Sequence, residues 1–464
     1  MKIYRQALVC GLGNSGAAAA RLLRAEGATV TALDGNDTPE LRARAAPLAA
    51  AGVRVLLGAQ TIPAGDADVA IVSPSLALQS PWLVELRRRG VPLLSELELG
   101  WSRQRGKTIA VTGSNGKSTA VKWLAESLQQ AGRRAAPAGN YGPPATRVVA
   151  EQPDLDWLVL EVSTFQLETC RAFRPDIGLL LNIHPNHLDR HGDLASYTAL
   201  KARLFACAAG DDLCLAPEAL LDHVRELSDG RGQWRSFGLS AQADFRYRDG
   251  WIWQRDRPLA DLRGTRFANE VLGVAGAAVV AAISGAGLSS ECAVRAARQF
   301  VSLPHRLQAV AEIRGVRYVN DSKATNLAAL EVALRLMAGP VRLIAGGLVK
   351  EKYLEGVKEM LAEKAARVYL IGQAAEALAA AWGDVVPCTR CGTLAAAVRQ
   401  AGRDARAGET VLLAPACASF DQFKNFEERG DRFMELVAAL GGEIEKTTIG
   451  KQQKERGYAS DQGK

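Results

Sequence analysis

Short apolar runs and longer helical patterns alternate along most of this chain. The run at 109–111 has the length of a buried strand, and a second run occupies 157–162. After the first run, one face of a helix is formed by Val121, Leu124, Ala125 and Leu128. The segments VRVLLG, DVAIVSPSL and VPLLSELELG are each strand-like, as are PVRLIAGGLVK, ARVYLIGQ and ETVLLAP further on. This alternation predicts parallel sheets covered by helices.

The pattern predicts an α/β fold of three domains within 464 residues. We expect a Rossmann-like N-terminal domain over 1–104. A central P-loop domain with a parallel sheet follows over 105–302, and a Rossmann-like α/β domain follows over 303–445. Residues 446–464 are polar, and we predict a disordered tail there.

The stretch TGSNGKST joins the strand at 109–111 to the helix after it. Backbone N–H groups in such a turn bind phosphate, a lysine adds a point charge, and a serine hydroxyl can reach Mg²⁺. The spacing G-x-x-G-K-S is shorter than the usual motif, so an ordinary glycine turn is the alternative. The residues expected around ATP phosphates are Gly113, Asn115, Gly116, Lys117, Ser118 and Thr119.

An acid and several histidines follow the next strands of the same region. Glu161 lies near the end of the strand at 157–162, where a carboxylate is costly unless it is paired or bound to metal. Glu161 and His187 are therefore candidate Mg²⁺ ligands. For His184 and His191 we expect ordinary histidines of a surface loop. Lys201 falls on an apolar helix face, where a lysine is usually a stem that reaches solvent.

The N-terminal segment contains a G-x-G-x-x-G turn after its first strand, formed by Gly11, Gly13 and Gly16. Asp34 ends the following strand, where an acid can bind a ribose or simply support a turn. Ser73 and Ser75 follow a later strand, at the sheet edge where ligands collect.

Composition and charge limit the substrates, partners and cellular location that we expect for this chain. The chain carries eight scattered cysteines, a net charge of +7 and 48% hydrophobic residues. Its basic residues form no concentrated stripe with aromatics, so we expect anionic small-molecule substrates and no nucleic acid. Neither a membrane span nor an export signal is predicted, which favours the cytoplasm. Cys388 and Cys391 are the one close pair, and two unlinked thiols are favoured over a redox pair or half a zinc site.

Six motifs occur in a fixed order: TGSNGKST, EVSTFQLE, NHLDRHG, LPHR, NDSKATN and PACASFDQFKNFEERG. Together they resemble the Mur ligase family of cell-wall peptide ligases, from about residue 7 to 440. The resemblance implies that 1–104 is a UDP-substrate-binding domain, 105–302 an ATPase domain and 303–445 an amino-acid-binding domain. EVSTFQLE and the last motif are most similar to the glutamate-adding members. The resemblance implies that ATP phosphorylates the carboxylate of UDP-N-acetylmuramoyl-L-alanine, and that the amine of D-glutamate then attacks the acyl phosphate. A monomeric, cytoplasmic enzyme of peptidoglycan synthesis is expected.

The resemblance also implies roles for individual residues. Ser118, Glu161 and His187 would bind Mg²⁺, and Lys201 matches a lysine that is carbamylated in the family. Lys117, Lys201 and His187 would be catalytic, and Arg306 and Asp321 would contact the nucleotide. The glutamate site would be framed by Thr325, Lys350, Ser419 and Phe426. The residues facing the UDP-sugar would be Gly13, Asn14, Ser15, Asp34, Ser73 and Asn140.

Three positions depart from the family pattern. Ser75 stands where a glycine is common, Leu272 where an asparagine is common, and Leu348 where an acid is common. A related ligase that adds L-glutamate or another amino acid is therefore an alternative. A nucleotide-binding scaffold without turnover is a second alternative, against which the retained Lys117, Glu161, His187 and Lys201 argue.

Overall fold

The computed structural model describes residues 2–351 and 353–441, and the predicted tail at 446–464 lies outside them. The chain divides into two compact units, Met1–Phe300 and Val301–Lys464. Three sheets with covering helices confirm the predicted α/β fold. Within the described ranges, no helix is long and apolar enough to cross a membrane.

Five parallel strands form the first sheet: β1 (Gln6–Cys10), β2 (Thr29–Leu33), β3 (Arg54–Leu56), β4 (Val69–Val72) and β5 (Leu93–Ser95). Their order is β3-β2-β1-β4-β5, so the chain reverses direction across the sheet at β1 and β4, where ligands bind in open α/β sheets. The helices of this region are α1 (Asn14–Ala25), α2 (Pro39–Ala50), α3 (Pro81–Arg88) and α4 (Glu96–Trp101).

The strand predicted for the segment VPLLSELELG is wrong over the second half of that segment. The segment VPLLSELELG was expected to be strand-like throughout, but the chain becomes helix α4 after β5. The Ser95 side chain accepts a hydrogen bond of 3.1 Å from the backbone N–H of Glu98, and Glu96 and Glu98 lie in the first helical turn. A serine cap and acidic residues at a helix N-terminus favour the helix over a longer strand.

The second sheet has nine strands: β6 (Lys107–Thr112), β7 (Ala135–Gly139), β8 (Trp157–Glu161), β9 (Ile177–Leu180), β10 (Leu213–Pro217), β11 (Gln233–Gly238), β12 (Phe245–Arg248), β13 (Trp251–Gln254) and β14 (Arg257–Asp261). Their order is β14-β13-β12-β11-β10-β9-β6-β8-β7, with antiparallel pairing confined to β12, β13 and β14.

Its helices are α5 (Lys117–Gln130), α6 (Ala145–Glu151), α7 (Thr164–Leu167), α8 (Leu188–His191), α9 (Leu194–Ala202), α10 (Leu221–Glu226), α11 (Glu270–Gly285) and α12 (Glu291–Arg298). Short 3₁₀ turns occupy Arg203–Phe205 and Glu218–Leu220. The predicted apolar face of α5 is buried in the core: Val121, Leu124, Ala125 and Leu128.

The second unit contains the third sheet: β15 (Gln308–Ile313), β16 (Val316–Asn320), β17 (Val341–Gly346), β18 (Ala365–Ile371), β19 (Cys388–Gly392) and β20 (Thr410–Leu413). The order is β15-β16-β20-β17-β18-β19, and only β15 pairs antiparallel among these strands. Its helices are α13 (Leu327–Leu336), α14 (Lys358–Lys364), α15 (Ala375–Trp382) and α16 (Leu394–Asp404), with a 3₁₀ turn at Glu355–Val357 and a last helix over 426–441. Cys388 and Cys391 are unlinked and half-buried in β19, as expected.

Candidate functional site

The predicted phosphate loop is a strand–turn–helix connection between β6 and α5. Gly113 and Gly116 have φ angles of 150° and 81°, which favour glycine because a side chain would be strained there. Gly116 immediately precedes α5, a helix of 14 residues whose N-terminal N–H groups attract anions. The Lys117 ammonium donates to the carbonyl oxygens of Gly113 at 2.8 Å and Ser114 at 3.0 Å. The loop therefore places a cation beside an anion-binding helix end.

Strand pairing brings three other segments to the same sheet edge. In the parallel register Val111 pairs with Glu161, and Gly139 pairs with Glu161 from the other side. Thr112 pairs with Leu180 at the end of β9. The residues that follow β7, β8 and β9 are therefore neighbours of the phosphate loop.

Glu161 is the central carboxylate of this edge and is 2% exposed. One carboxylate oxygen accepts a 2.5 Å hydrogen bond from the Ser118 hydroxyl, and the other accepts a 2.6 Å bond from the Asn140 amide. The structure thus places Asn140, a predicted UDP-sugar contact, against a predicted metal ligand. Carboxylate and hydroxyl oxygens are hard ligands of the kind that Mg²⁺ prefers.

Lys201 contacts the phosphate loop and does not reach solvent. It is 1% exposed, its Nζ donates a 2.8 Å hydrogen bond to Gly113 O, and the Tyr197 ring centre is 4.4 Å from the Nζ. Burial lowers the pKa of this amine well below its ordinary value, and nearby Lys117 lowers it further while Glu161 raises it. The ordinary expectation of a solvent-reaching stem is therefore wrong for this lysine.

Asn182 is a site residue that the sequence analysis missed. Its side-chain oxygen accepts from the backbone N–H groups of Ser114 at 3.1 Å and Asn115 at 2.9 Å, and its amide donates to Asn115 O at 3.1 Å. Ser114 also donates from its hydroxyl to the Tyr197 hydroxyl at 3.3 Å. The available signal was the position of Asn182 after β9, at the same edge as the phosphate loop.

The loop after β9 carries one predicted ligand, His187, and one histidine whose side chain is unexpectedly buried, His191. His187 precedes α8 with a φ angle of 55°, and its ring centre is 5.0 Å from that of Phe165. The surface-loop prediction is wrong for His191, because its side chain is 2% exposed. Its Nε2 is 3.0 Å from the Thr164 hydroxyl, and its Nδ1 is 3.6 Å from a carboxylate oxygen of Glu168.

The structure brings together some of the residues predicted to bind metal, and metal binding itself stays a prediction. Ser118 and Glu161 are joined directly, and Lys201 is close enough for its charge to interact with Glu161. Within the residues that the structure describes, no group of three or more His, Cys, Asp or Glu side chains could hold a metal ion. The participation of His187 therefore stays a prediction.

The N-terminal glycine turn packs against the segment that begins with Ser73. A Cβ atom on Gly11, which has a φ angle of 96°, would lie 2.6 Å from the Ser73 Cβ. The Asp34 carboxylate accepts from the backbone N–H groups of Leu12 at 2.8 Å and Asn36 at 3.0 Å. Both carboxylate oxygens of Asp34 thus support the turn. Turn support is one of the two roles, besides ribose binding, that the position of Asp34 in the sequence left open.

The remaining predicted UDP-sugar residues lie around this turn. Gly13 and Asn14 are exposed at the start of α1, and Ser15 is half-buried there. Ser75, which stands in place of the common glycine, has its hydroxyl 2.9 Å from that of Ser73. The substitution therefore adds a hydrogen-bonding group at the sheet edge.

In the second unit, the predicted nucleotide contacts lie in adjoining segments. The Asp321 carboxylate accepts a 3.0 Å hydrogen bond from the backbone N–H of Leu307, next to Arg306. Asp321 is 8% exposed, and Arg306 is half-buried. This contact joins the residue that follows the LPHR motif to the NDSKATN motif.

Two of the residues predicted to bind glutamate lie in segments that meet at one backbone bridge. Leu348 and Ala418 exchange N–H to carbonyl hydrogen bonds of 2.8 and 3.0 Å. This bridge brings together the segments that carry Lys350 and Ser419. Ser419 is buried, Thr325 and Phe426 are half-buried, and Lys350 is exposed.

Arg429 connects the loops that carry Thr325 and Ser419, and the sequence analysis did not predict this residue. It is fully buried and donates to the Ser322 hydroxyl at 3.0 Å, to Ser322 O at 2.8 Å and to Cys417 O at 3.1 Å. Burial lowers the pKa of this guanidinium to about 10. Its bonds hold the Thr325 loop against the Ser419 loop.

Comparison with known proteins gives consistent relatives. The family model described as Mur ligase middle domain matches residues 111–255, and the model described as Mur ligase, glutamate ligase domain matches 305–417. The UDP-N-acetylmuramoylalanine–D-glutamate ligase of Nitratidesulfovibrio vulgaris is 42% identical, with 94% of this chain and 96% of the relative covered. The same-named ligase of Acidobacterium capsulatum is 38% identical, with 94% and 97% covered.

The fold also matches a solved structure. The MurF ligase from Thermotoga maritima in complex with ADP aligns with a TM-score of 0.60 and covers 88% of this chain and 94% of its own. Its sequence is 15% identical, so this likeness concerns the fold.

Proposed function

The chain belongs to the Mur ligase family, and on that premise we propose that it joins D-glutamate to UDP-N-acetylmuramoyl-L-alanine in peptidoglycan precursor synthesis. The reaction forms an amide from the alanine carboxylate and the glutamate amine, and converts ATP to ADP and phosphate. The observation that carries the proposal is the cluster of Lys117, Ser118, Glu161 and Lys201 around one phosphate loop.

The phosphate loop suits the first half-reaction. A free carboxylate resists attack by an amine, and phosphorylation supplies a leaving group. The N-terminal N–H groups of α5 and the Lys117 ammonium would hold the phosphates of ATP and stabilise the charge that develops during transfer. Gly113, Asn115, Gly116 and Thr119 complete the proposed binding loop.

The donor set around Glu161 fits Mg²⁺. Ser118 and Glu161 present a hydroxyl and a carboxylate within 2.5 Å of each other beside the loop, and His187 is the proposed further ligand. Bound there, Mg²⁺ would offset negative charge on the phosphates. Asn140 fixes the orientation of the Glu161 carboxylate through its 2.6 Å hydrogen bond.

We propose that Lys201 is carbamylated. Its amine is enclosed between Gly113 O and the Tyr197 ring, next to the cationic Lys117. A neutral amine attacks the carbon of CO₂ and loses a proton, which leaves a carbamate anion. The change places an anion next to Lys117, which attracts it, whereas Lys117 would repel a protonated amine at the same place.

The remaining predicted residues complete the proposal. The glutamate would be held by Thr325, Lys350, Ser419 and Phe426, the nucleotide by Arg306 and Asp321, and the UDP-sugar by Gly13, Asn14, Ser15, Asp34, Ser73 and Asn140.

The proposal also includes domain boundaries at 104 and 302. Because ATP and UDP-sugars are cytoplasmic metabolites, we propose a cytoplasmic enzyme that acts as a monomer on small molecules and not on nucleic acid.

The test is product identification by mass spectrometry. The purified chain is incubated with UDP-N-acetylmuramoyl-L-alanine, ATP, Mg²⁺ and D-glutamate, and each component is omitted in turn. We expect the dipeptide product only in the complete mixture, together with equal amounts of ADP and phosphate. ATP binding without any new UDP-linked product would favour a scaffold and contradict the proposal.

A further inference from the structure

We propose that Arg190 is a positioning residue for the UDP-sugar, because it ties the loop after β4 to the loop that carries His187. We call residues 73–78 the substrate loop and residues 182–191 the histidine loop. The inference rests on the proposed function, in which Ser73 faces the UDP-sugar and His187 faces the metal. Neither the sequence motifs nor the family comparison assigns this role.

The guanidinium of Arg190 joins three parts of the chain at once. Its Nη2 donates to Leu76 O at 2.9 Å in the substrate loop. The same Nη2 donates to one carboxylate oxygen of Glu168 at 2.6 Å, and Nε donates to the other at 3.2 Å. A forked bond of this kind fixes both the distance and the plane of the guanidinium.

The pair is too sheltered to be an ordinary surface ion pair. The side chain of Arg190 is 20% exposed, and that of Glu168 is 7% exposed. Solvent screening is weak at such a site, so the bond holds its geometry better than an exposed pair does. Glu168 directly follows α7, in the segment that begins after Glu161 at the end of β8. The carboxylate that holds Arg190 therefore lies in the segment that follows a predicted metal ligand.

Arg190 also acts on the ring beside the predicted metal ligand. Its guanidinium carbon lies 4.8 Å from the Phe165 ring centre, and the His187 ring centre lies 5.0 Å from that same ring. Phe165 is thus in contact with both side chains. Because Phe165 still packs on His187 when Arg190 is changed, the change is expected to act mainly on the substrate loop, which loses its hydrogen bond at Leu76 O.

The substrate loop is also held at its first residue, and at its last residue, where the Arg87 guanidinium donates to Leu78 O. Ser73 N donates to Cys10 O at 2.9 Å, and Leu76 N donates to Ser73 O at 3.1 Å within the turn. Arg190 fixes the far side of this turn through Leu76 O. Since a displacement of about 1 Å can cost on the order of a hundredfold in rate, this anchor sets the register of the sugar against the phosphate site.

The experiment compares Arg190→Gln, Arg190→Lys and Glu168→Gln with the control Arg147→Gln. Arg147 forms an exposed pair with Glu151 in α6, so its loss removes an arginine bond without touching either loop. KM is measured for all three substrates, and direct binding of UDP-N-acetylmuramoyl-L-alanine is measured by calorimetry without ATP or amino acid.

We expect the KM and the Kd for the UDP-sugar to rise about tenfold or more in Arg190→Gln and Glu168→Gln, with KM for ATP and D-glutamate changed by less than about twofold. Arg190→Lys should be intermediate, because lysine lacks the fork. Equal KM changes for all substrates, or an unchanged Kd for the UDP-sugar in folded Arg190→Gln, would overturn the proposal. If the wild-type chain binds the UDP-sugar but makes no product, the proposed reaction fails while the calorimetry still decides the role of Arg190.

Discussion

The Ser118 hydroxyl donates a 2.5 Å hydrogen bond to the carboxylate of Glu161, which is 43 positions further along the chain. The bond joins the first turn of α5 to the end of β8. A buried carboxylate this close to a phosphate loop is positioned to share a cation with the phosphates. The first predictions concern this edge of the sheet.

Replacement of Lys117 by alanine tests the phosphate loop. The change removes the cation that lies over Gly113 O and Ser114 O, so we expect a loss of at least about a hundredfold in kcat/KM, near 2.7 kcal/mol. Lys107→Ala is the matched control, since Lys107 is exposed at the opposite end of β6. Steady-state phosphate release measures both. A Lys117→Ala enzyme within about tenfold of wild type would contradict the role of the loop.

Replacement of Lys201 by alanine tests the carbamate. We expect a loss of most activity, and partial recovery when a short-chain carboxylic acid is added, because its anion can occupy the space left around Gly113 and Tyr197. The same acid should not restore Lys117→Ala, whose missing group is a cation. A fully active Lys201→Ala enzyme would show that the buried amine is structural.

Glu96 should make stability depend on pH. Burial raises the pKa of its carboxyl from 4.5 to about 7, although the side chain and N–H of Thr146 bind one oxygen. The native state therefore keeps a proton that the unfolded chain loses, and its stability falls as pH rises between these values, by about 3 kcal/mol.

Thermal unfolding of Glu96→Gln measures this effect. We expect the Tm of the wild-type protein to fall relative to that of Glu96→Gln between about pH 5 and about pH 8, because the amide carries no titrating proton. Glu151→Gln is the control, since Glu151 forms an exposed pair with Arg147. A wild-type Tm that runs parallel to that of Glu96→Gln over this range would contradict the effect.

The sequence predicted features that depend on local pattern. The phosphate loop follows from glycine spacing next to an apolar strand, and Glu161 follows from its place at a strand end, so both could be identified before the fold. Helix α4 was predicted as strand because a short run of apolar residues is compatible with the hydrophobic period of a helix as well as that of a strand. The Ser95 cap, a contact of one side chain, decides between them.

Other site residues depend on segments that only the fold brings together. Asn182 binds the phosphate loop 67 positions away, and Arg190 reaches Leu76 across 114 positions. Arg429 reaches Ser322 across 107 positions. His191 is buried because Phe165, from another segment, lies against its ring at 5.3 Å. Apart from the position of Asn182 after β9, no local pattern in the sequence indicates these contacts.

The choice of amino acid tests the central claim most directly. Initial rates of phosphate release are measured with D-glutamate, L-glutamate, D-aspartate, L-alanine and L-lysine at the same concentrations of ATP and UDP-N-acetylmuramoyl-L-alanine. We predict the highest kcat/KM for D-glutamate, because the other hand moves the amine away from the acyl phosphate when the carboxylates keep their partners. A higher kcat/KM for L-glutamate would contradict the stereochemical assignment, and product only with L-alanine or L-lysine would contradict a glutamate-adding ligase.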